Sequence, residues 1–300
     1  AGSNMASGGI GGWTRDQTDA ILKKSPTLAF RSGDSALKIT KDGGDGSYVP
    51  YAYQTITTTS GAYYVVRFWH FGAPNVDSTE ALVNIDENQA KLITAGDAGI
   101  TAEEWRFVEF CFEADPSSNL YLKSASTTEE SSYYDKVEIF PNLIIGSDCE
   151  DSSHWEEVGE NETFGTSQLE HAGNRSMFFK PSVSGEGFES DLNFTVRANS
   201  WYEVSAWVKG GAGNEDVVFS VRDLNDATGT TSISFIPTVI WSRYSFIIKT
   251  GEDLSGKVRF TANVGDEVYV DDISLVYRHN LDLSATAGTT DSIYEPGIEG

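Results

Sequence analysis

Tyr63–Gly72 reads YYVVRFWHFG, and Trp201–Gly210 reads WYEVSAWVKG. Each is a run of β-branched and aromatic residues that closes on glycine, the composition of a strand followed by a turn. Laid on each other, they place Trp69 on Trp207. Working outward, the rest of the chain follows in the same order. ALVNIDEN (81–88) falls on VVFSVRDLN (217–225), WRFVEFCFEA (105–114) on WSRYSFIIKT (241–250), NLYLKSA (119–125) on KVRFTAN (257–263), and YYDKVEIF (133–140) on YVDDISLV (269–276). Upstream, Trp13 followed by SALKI (35–39) matches Trp155 followed by SMFFK (176–180). Six matched segments kept in order and spacing mean two homologous domains rather than one large one.

Strand runs separated by Gly, Asp, Asn and Ser clusters occur throughout, and helix signals are nearly absent apart from at most one turn within 90–104. Many short strands with frequent turns predict an all-β chain of two tandem β-sandwich jelly rolls. The boundaries read as 10–141 for the first module and 142–279 for the second. Residues 1–9 read as an expression scar or linker, and 280–300 as a linker or tail. The chain reads as a piece of a longer protein.

The 300 residues carry 21 Lys and Arg against 45 Asp and Glu, a formal charge of −24. Phosphate backbones need basic surface, so nucleic acid is excluded as a general partner. No apolar run approaches the roughly 18 residues that span a membrane. The apolar content of 39%, with 12% aromatic residues, is enough for real cores. Cys111 and Cys149 are too few for a disulfide scaffold, and their non-equivalent positions predict free thiols.

The second domain carries a frame of three motifs: 142–151 (NLIIGSDCED) with Trp155, then Trp201–Gly210, then 268–275 (VYVDDISL). This frame resembles carbohydrate-binding modules of families 4, 9, 16 and 22, which have the galactose-binding-like jelly roll. Gly146 and Cys149 depart from the usual Asn and Phe. The first domain shows the middle and closing motifs without the opening one. The resemblance implies a non-catalytic module that binds a polysaccharide or oligosaccharide in a cleft on the concave face of one sheet. It also implies a structural Ca2+ near the chain ends. Glu150 and Asp271 stand at the metal positions of the family in the second module, and Asp135 matches Asp271 in the first.

Strand alternation sorts the residues into faces. In the second domain Tyr202, Val204, Ala206 and Val208 point to the core, so Ser205, Trp207 and Lys209 point away. Arg222, Lys257, Arg259 and Asn263 also point outward and are expected on the same concave face. The corresponding first-domain set includes Arg67, Trp69, Asn84, Tyr121 and Lys123. A pyranose offers an apolar C–H face to an aromatic ring and hydroxyls to Arg, Asn and Lys. Trp69 and Trp207, with Arg67 beside the former, are therefore the leading ligand candidates; the competing reading has each tryptophan covered by a loop. Lys209, Arg222, Lys257 and Arg259 form a basic island on an acidic body, which suits an anionic glycan.

His70, His154, His171 and His279 have no metal-ligand spacing, and no nucleophile-elbow, Walker or dinucleotide motif is present. The chain reads as a non-enzyme, extracellular or at the cell surface, within a larger multidomain protein. Two alternatives stay open. One is a structural or adhesive jelly-roll pair, as in a phage fibre or cell-surface protein, without a working cleft. The other is the accessory region of a polysaccharide-degrading enzyme.

Overall fold

The computed structural model describes residues 13–15, 20–25, 36–41, 51–72, 78–83, 105–115, 118–125, 131–212, 215–222, 232–252, 255–265 and 267–278. In these, twenty strands form four sheets, and one short 3-10 turn (Ser152–His154) joins them. The first module holds β1 (Thr14–Arg15), β2 (Ala20–Ser25), β3 (Ala36–Lys41), β4 (Tyr51–Ile56), β5 (Tyr63–Gly72), β6 (Ser78–Val83), β7 (Arg106–Glu113), β8 (Ser118–Ala125) and β9 (Ser131–Pro141). The second holds β10 (Trp155–Val158), β11 (Thr163–Ser167), β12 (Ser176–Lys180), β13 (Glu186–Ser190), β14 (Phe194–Thr195), β15 (Trp201–Gly210), β16 (Val217–Arg222), β17 (Ser232–Phe235), β18 (Ser242–Lys249), β19 (Ser255–Ala262) and β20 (Val268–Arg278).

Each module pairs two antiparallel sheets. In the first, β1-β4-β8-β6 packs on β2-β3-β9-β5-β7; in the second, β10-β13-β19-β16-β17 packs on β11-β12-β20-β15-β18. The two modules are therefore the β-sandwich jelly rolls expected. The core of the second shows how alternation builds the sandwich. Phe188, Phe219 and Phe260 stack side by side from β13, β16 and β19, with centroids 5.3 and 4.3 Å apart. Val204, Ala206, Val208, Val270 and Leu275 face them from the other sheet, all fully buried. Bulky rings on one layer thus meet small aliphatic groups on the other. Each buried ring contributes roughly 1.5–3 kcal/mol over its exposed state.

The two modules share one irregularity. The pairing of β5 with β9 shifts between Arg67 and Trp69, and that of β15 with β20 shifts between Ser205 and Trp207. Facing each shift, a non-glycine residue takes the left-handed region, Lys136 at φ 48° and Asp272 at φ 47°. The preceding aspartate accepts that residue's amide N–H, at 2.8 Å for both Asp135 and Asp271. A bulge of this kind re-aims the strand and holds the extra residue.

The modules meet through the outer faces of their inner sheets, β2-β3-β9-β5-β7 and β11-β12-β20-β15-β18. Val65 and Cys111 pack on Val276, with Phe140 alongside. The Cys111 amide donates to Asp272 Oδ1 at 2.6 Å, and Asn142 Nδ2 donates to the Ile273 carbonyl at 2.9 Å. Between these lies a buried charge network. Glu109 accepts from Arg67 of its own module, and from Ser205 at 2.8 Å and Arg243 at 3.0 and 3.1 Å of the other. Glu203 pairs with Arg67 at 3.3 Å and with Arg243 and Arg278. Burial pushes the Glu109 carboxyl up, but Arg243 and Arg67 outweigh it and hold the group down at about 2. Both cysteines are free and buried.

Candidate functional site

The inter-module contact takes in Arg67, and His171 of its own module lies over Trp207. Arg67 is 3% exposed and serves the inter-module network, so it is not a ligand residue on an open cleft. Trp69 is 4% exposed and packs edge-on against Phe107 at 5.6 Å. Trp207 is half-buried and stacks on His171, centroids 3.8 Å apart and planes 14° from parallel. The His171 ring in turn lies 2.7 Å from Asp272 Oδ2. The Trp207 Nε1 is buried and makes no hydrogen bond among the described residues. Alternation is correct about the direction of these side chains relative to their own sheet. It does not say which of the two sheets carries each strand. β15 lies in the inner sheet and β19 in the outer one, so Trp207 and Lys209 do not share a face with Arg222, Lys257 and Arg259. Lys209 stands instead over the Tyr269 ring, 5.9 Å from its centroid.

The sheets left open by the interface are β1-β4-β8-β6 and β10-β13-β19-β16-β17, and their outer faces differ in chemistry. In the first module Tyr53 sits opposite Tyr121, and Tyr51 opposite Lys123, across β4 and β8. Ala52, Leu120 and Leu122 point to the core, so the tyrosines point out. Tyr121 lies between the other two, 5.4 Å from Tyr51 edge-on and 5.6 Å from Tyr53 at 31°. All three rings are half-buried. At one end of this patch Thr55 Oγ1 donates to Asn119 Oδ1 at 2.7 Å. Apolar ring faces thus lie beside an amide and a hydroxyl, both able to exchange hydrogen bonds with a polar ligand. Of this group Asn119, Tyr121 and Lys123 follow from strand alternation in the sequence. Tyr51 and Tyr53 were missed, although YAYQ alternates aromatic with other residues in the manner of a half-exposed strand. The Lys123 side chain and the whole of Asn84 lie outside the described set.

In the second module the equivalent positions carry other residues. Glu189 lies opposite Arg259, as Tyr53 lies opposite Tyr121, and Gly187 lies opposite Thr261, as Tyr51 lies opposite Lys123. A Cβ on Gly187 would stand 1.9 Å from the Phe260 carbonyl oxygen, so no side chain can take the place of Tyr51. Glu189 accepts from Arg259 Nε at 2.8 Å, from Arg222 at 3.1 Å and from Lys257 at 3.4 Å. Lys257 also reaches Glu156 at 3.1 Å. Burial raises the Glu189 carboxyl, and the facing Arg259 and Lys257 more than reverse this, leaving it lowered. The basic island is therefore three cations closed on carboxylates. Asn263 lies apart at the strand end, bonded to Asp216 at 2.9 Å and Ser184 at 2.8 Å.

The carboxylates expected to hold Ca2+ accept backbone amides. Asp271 Oδ2 accepts from the His171 and Ala172 amides at 2.8 and 3.2 Å, and Oδ1 from that of Asp272. Glu150 Oε1 accepts from the Asn174 amide at 2.8 Å. A hard cation takes several oxygens turned to one point. Asp271 and Glu150 instead anchor the 171–174 loop, and Asp135 and Asp271 hold the two bulges. Among the described residues, no three acidic, His or Cys side chains gather as a metal set.

No protein-family model matches the chain, and no curated protein matches it. It is similar to several solved structures. The tandem CBM22-1–CBM22-2 domain of Xyn10C from Paenibacillus barcinonensis is 16% identical over 93% of this chain and 97% of that one, with a TM-score of 0.34. TmCBM61, solved with β-1,4-galactotriose, is 19% identical over 46% of this chain and 99% of its own, at 0.39. A family 16 carbohydrate-binding module is 20% identical over 45% and 99%, at 0.34.

Proposed function

We propose that the chain binds polysaccharide without acting on it, and that the open β4–β8 face of the first module does the binding. The observation that carries this reading is the cluster of Tyr51, Tyr53 and Tyr121 beside Thr55 and Asn119. Three phenol rings give C–H faces of pyranose residues a surface to stack on, and Asn119 with Thr55 can hydrogen-bond the ring hydroxyls. The frame over 142–277 that resembles carbohydrate-binding modules supports the same class. The second module, whose matching face is closed by Glu189 and its cations, is a structural partner in this reading. A polysaccharide ligand in turn favours work outside the cell, as an accessory part of a larger protein.

Affinity gels containing mixed-linkage β-glucan, xylan or alginate test it. The wild type should be retarded in at least one of them. Tyr53→Ala and Tyr121→Ala should each lose about 1 kcal/mol of stacking, roughly fivefold in affinity. Trp207→Ala should leave retardation unchanged. Unretarded wild type in all three gels, or full retardation of the Tyr53→Ala/Tyr121→Ala chain, counts against the assignment.

A further inference from the structure

The second module closes one end of its sandwich with the connections from β12 to β13, β15 to β16, β17 to β18 and β19 to β20. Hydrogen bonds stitch this crown together. The Gly185 amide donates to the Ala262 carbonyl at 2.9 Å, the Asn263 amide to the Asp216 carbonyl at 3.0 Å, and the Gly210 amide to the Thr238 carbonyl at 2.8 Å. Eight large apolar residues are exposed among the described residues, and five of them stand here. They are Val183, Ile236, Val239, Ile240 and Val264, each between 54% and 63% exposed. The stretches that carry them, 181–185, 236–241 and 262–265, hold no Asp, Glu, Lys or Arg, in a chain of which 22% is charged. The end of the module is therefore an apolar, uncharged cap on an acidic body.

Five aliphatic side chains so exposed offer on the order of 500 Å2, the size at which an apolar patch marks a contact surface. The polar side chains among them are already served. Thr238 Oγ1 donates to the Ile240 carbonyl at 2.8 Å, Ser184 Oγ to Asn263 Oδ1 at 2.8 Å, and Asn263 Nδ2 to Asp216 Oδ2 at 2.9 Å. Aliphatic carbon is what these stretches present. A membrane-seated tip sets Lys or Arg against the headgroups, and these stretches carry none. The surface that matches uncharged aliphatic carbon is the same surface on a second copy. Across a two-fold axis each patch meets its own kind, and these stretches bring no like charges together. Two patches bury roughly 1,000 Å2, the lower limit for a specific contact.

We infer that this crown is a self-association surface, pairing two copies of the chain end to end through their second modules. It is separate from the polysaccharide face proposed for the first module and does not depend on it. Sedimentation velocity of the full chain, from about 5 to about 200 μM, tests it. The chain should pass from one copy to two as concentration rises, with no larger species. Raising NaCl from about 0.1 to about 0.5 M should tighten the pair severalfold, because salt screens the repulsion of two acidic bodies and spares an apolar contact. Ile240→Asp and Val264→Asp, both at exposed positions, should keep the wild-type melting temperature and each weaken pairing by roughly tenfold or more. Leu192→Asp, equally a surface change but in the connection from β13 to β14 at the opposite end, should leave pairing unchanged. A wild type that stays single at about 200 μM in both salts overturns the inference, as does a pair that both crown variants leave intact. Co-sedimentation of single chains with phosphatidylcholine vesicles, lost in Ile240→Asp, also overturns it and gives the crown to a bilayer.

Discussion

Glu109 of the first module and Arg243 of the second are joined by two parallel hydrogen bonds, Nε to Oε1 at 3.0 Å and Nη2 to Oε2 at 3.1 Å. Glu109 has no solvent exposure and serves Arg67 as well. Its removal leaves two buried guanidinium groups short of a partner. Glu109→Ala should cost about 3–5 kcal/mol, because breaking a buried pair from one side strands the other charge. Urea denaturation should show the modules separating before they unfold. A loss under about 1 kcal/mol with a single transition argues that apolar packing alone holds the modules together.

The same carboxylate sets a pH dependence. Its folded value, about 2, lies below the ordinary value of 4.5. Its contribution is therefore complete above pH 4.5 and is lost as the pH falls through about 2. Melting temperature followed from pH 6 down to pH 2 should decline more steeply in wild type than in Glu109→Gln, which has no proton to take up. Parallel curves for the two chains count against this account.

Gly187 is fixed by the Phe260 carbonyl rather than by its dihedral angles. Gly187→Ala should destabilise the second module by roughly 1–3 kcal/mol, the usual cost of overpacking, and leave polysaccharide retention by the first module intact. Differential scanning calorimetry with affinity gels separates the two effects. A neutral Gly187→Ala means the β13–β19 pair yields easily, and the contrast between the two open faces loses its steric basis.

Asp271 accepts three backbone amides, and an amide side chain can satisfy them from only one of its two heavy atoms. Asp271→Asn should cost about 1–3 kcal/mol, equally in excess Ca2+ and in EDTA. A melting temperature that rises with Ca2+ in wild type and not in the variant restores the cation role implied by the family resemblance.

These four cases mark where the sequence is legible. The repeat, the sandwich and the inward direction of Val204 or Phe260 follow from periodicity, a property of a single strand. The placement of Arg67 does not, because its partner Glu203 belongs to the other module and lies 136 residues away. Whether an outward face meets solvent or a second domain is decided by such distant pairs. Trp69 and Trp207 were singled out because tryptophan suits sugar, yet the rings on the open face are Tyr51, Tyr53 and Tyr121. Tyr51 and Tyr53 come together with Tyr121 only once β4 pairs with β8, across roughly seventy intervening residues.

The contact between inner sheets also bears on how a polymer could be held. With sheet layers about 10 Å apart, the two open faces stand back to back across a body roughly 30 Å thick. No slack linker adjusts that separation, so one stiff polymer cannot lie along both faces at once. Any grip on the far side would have to fasten a different polymer molecule.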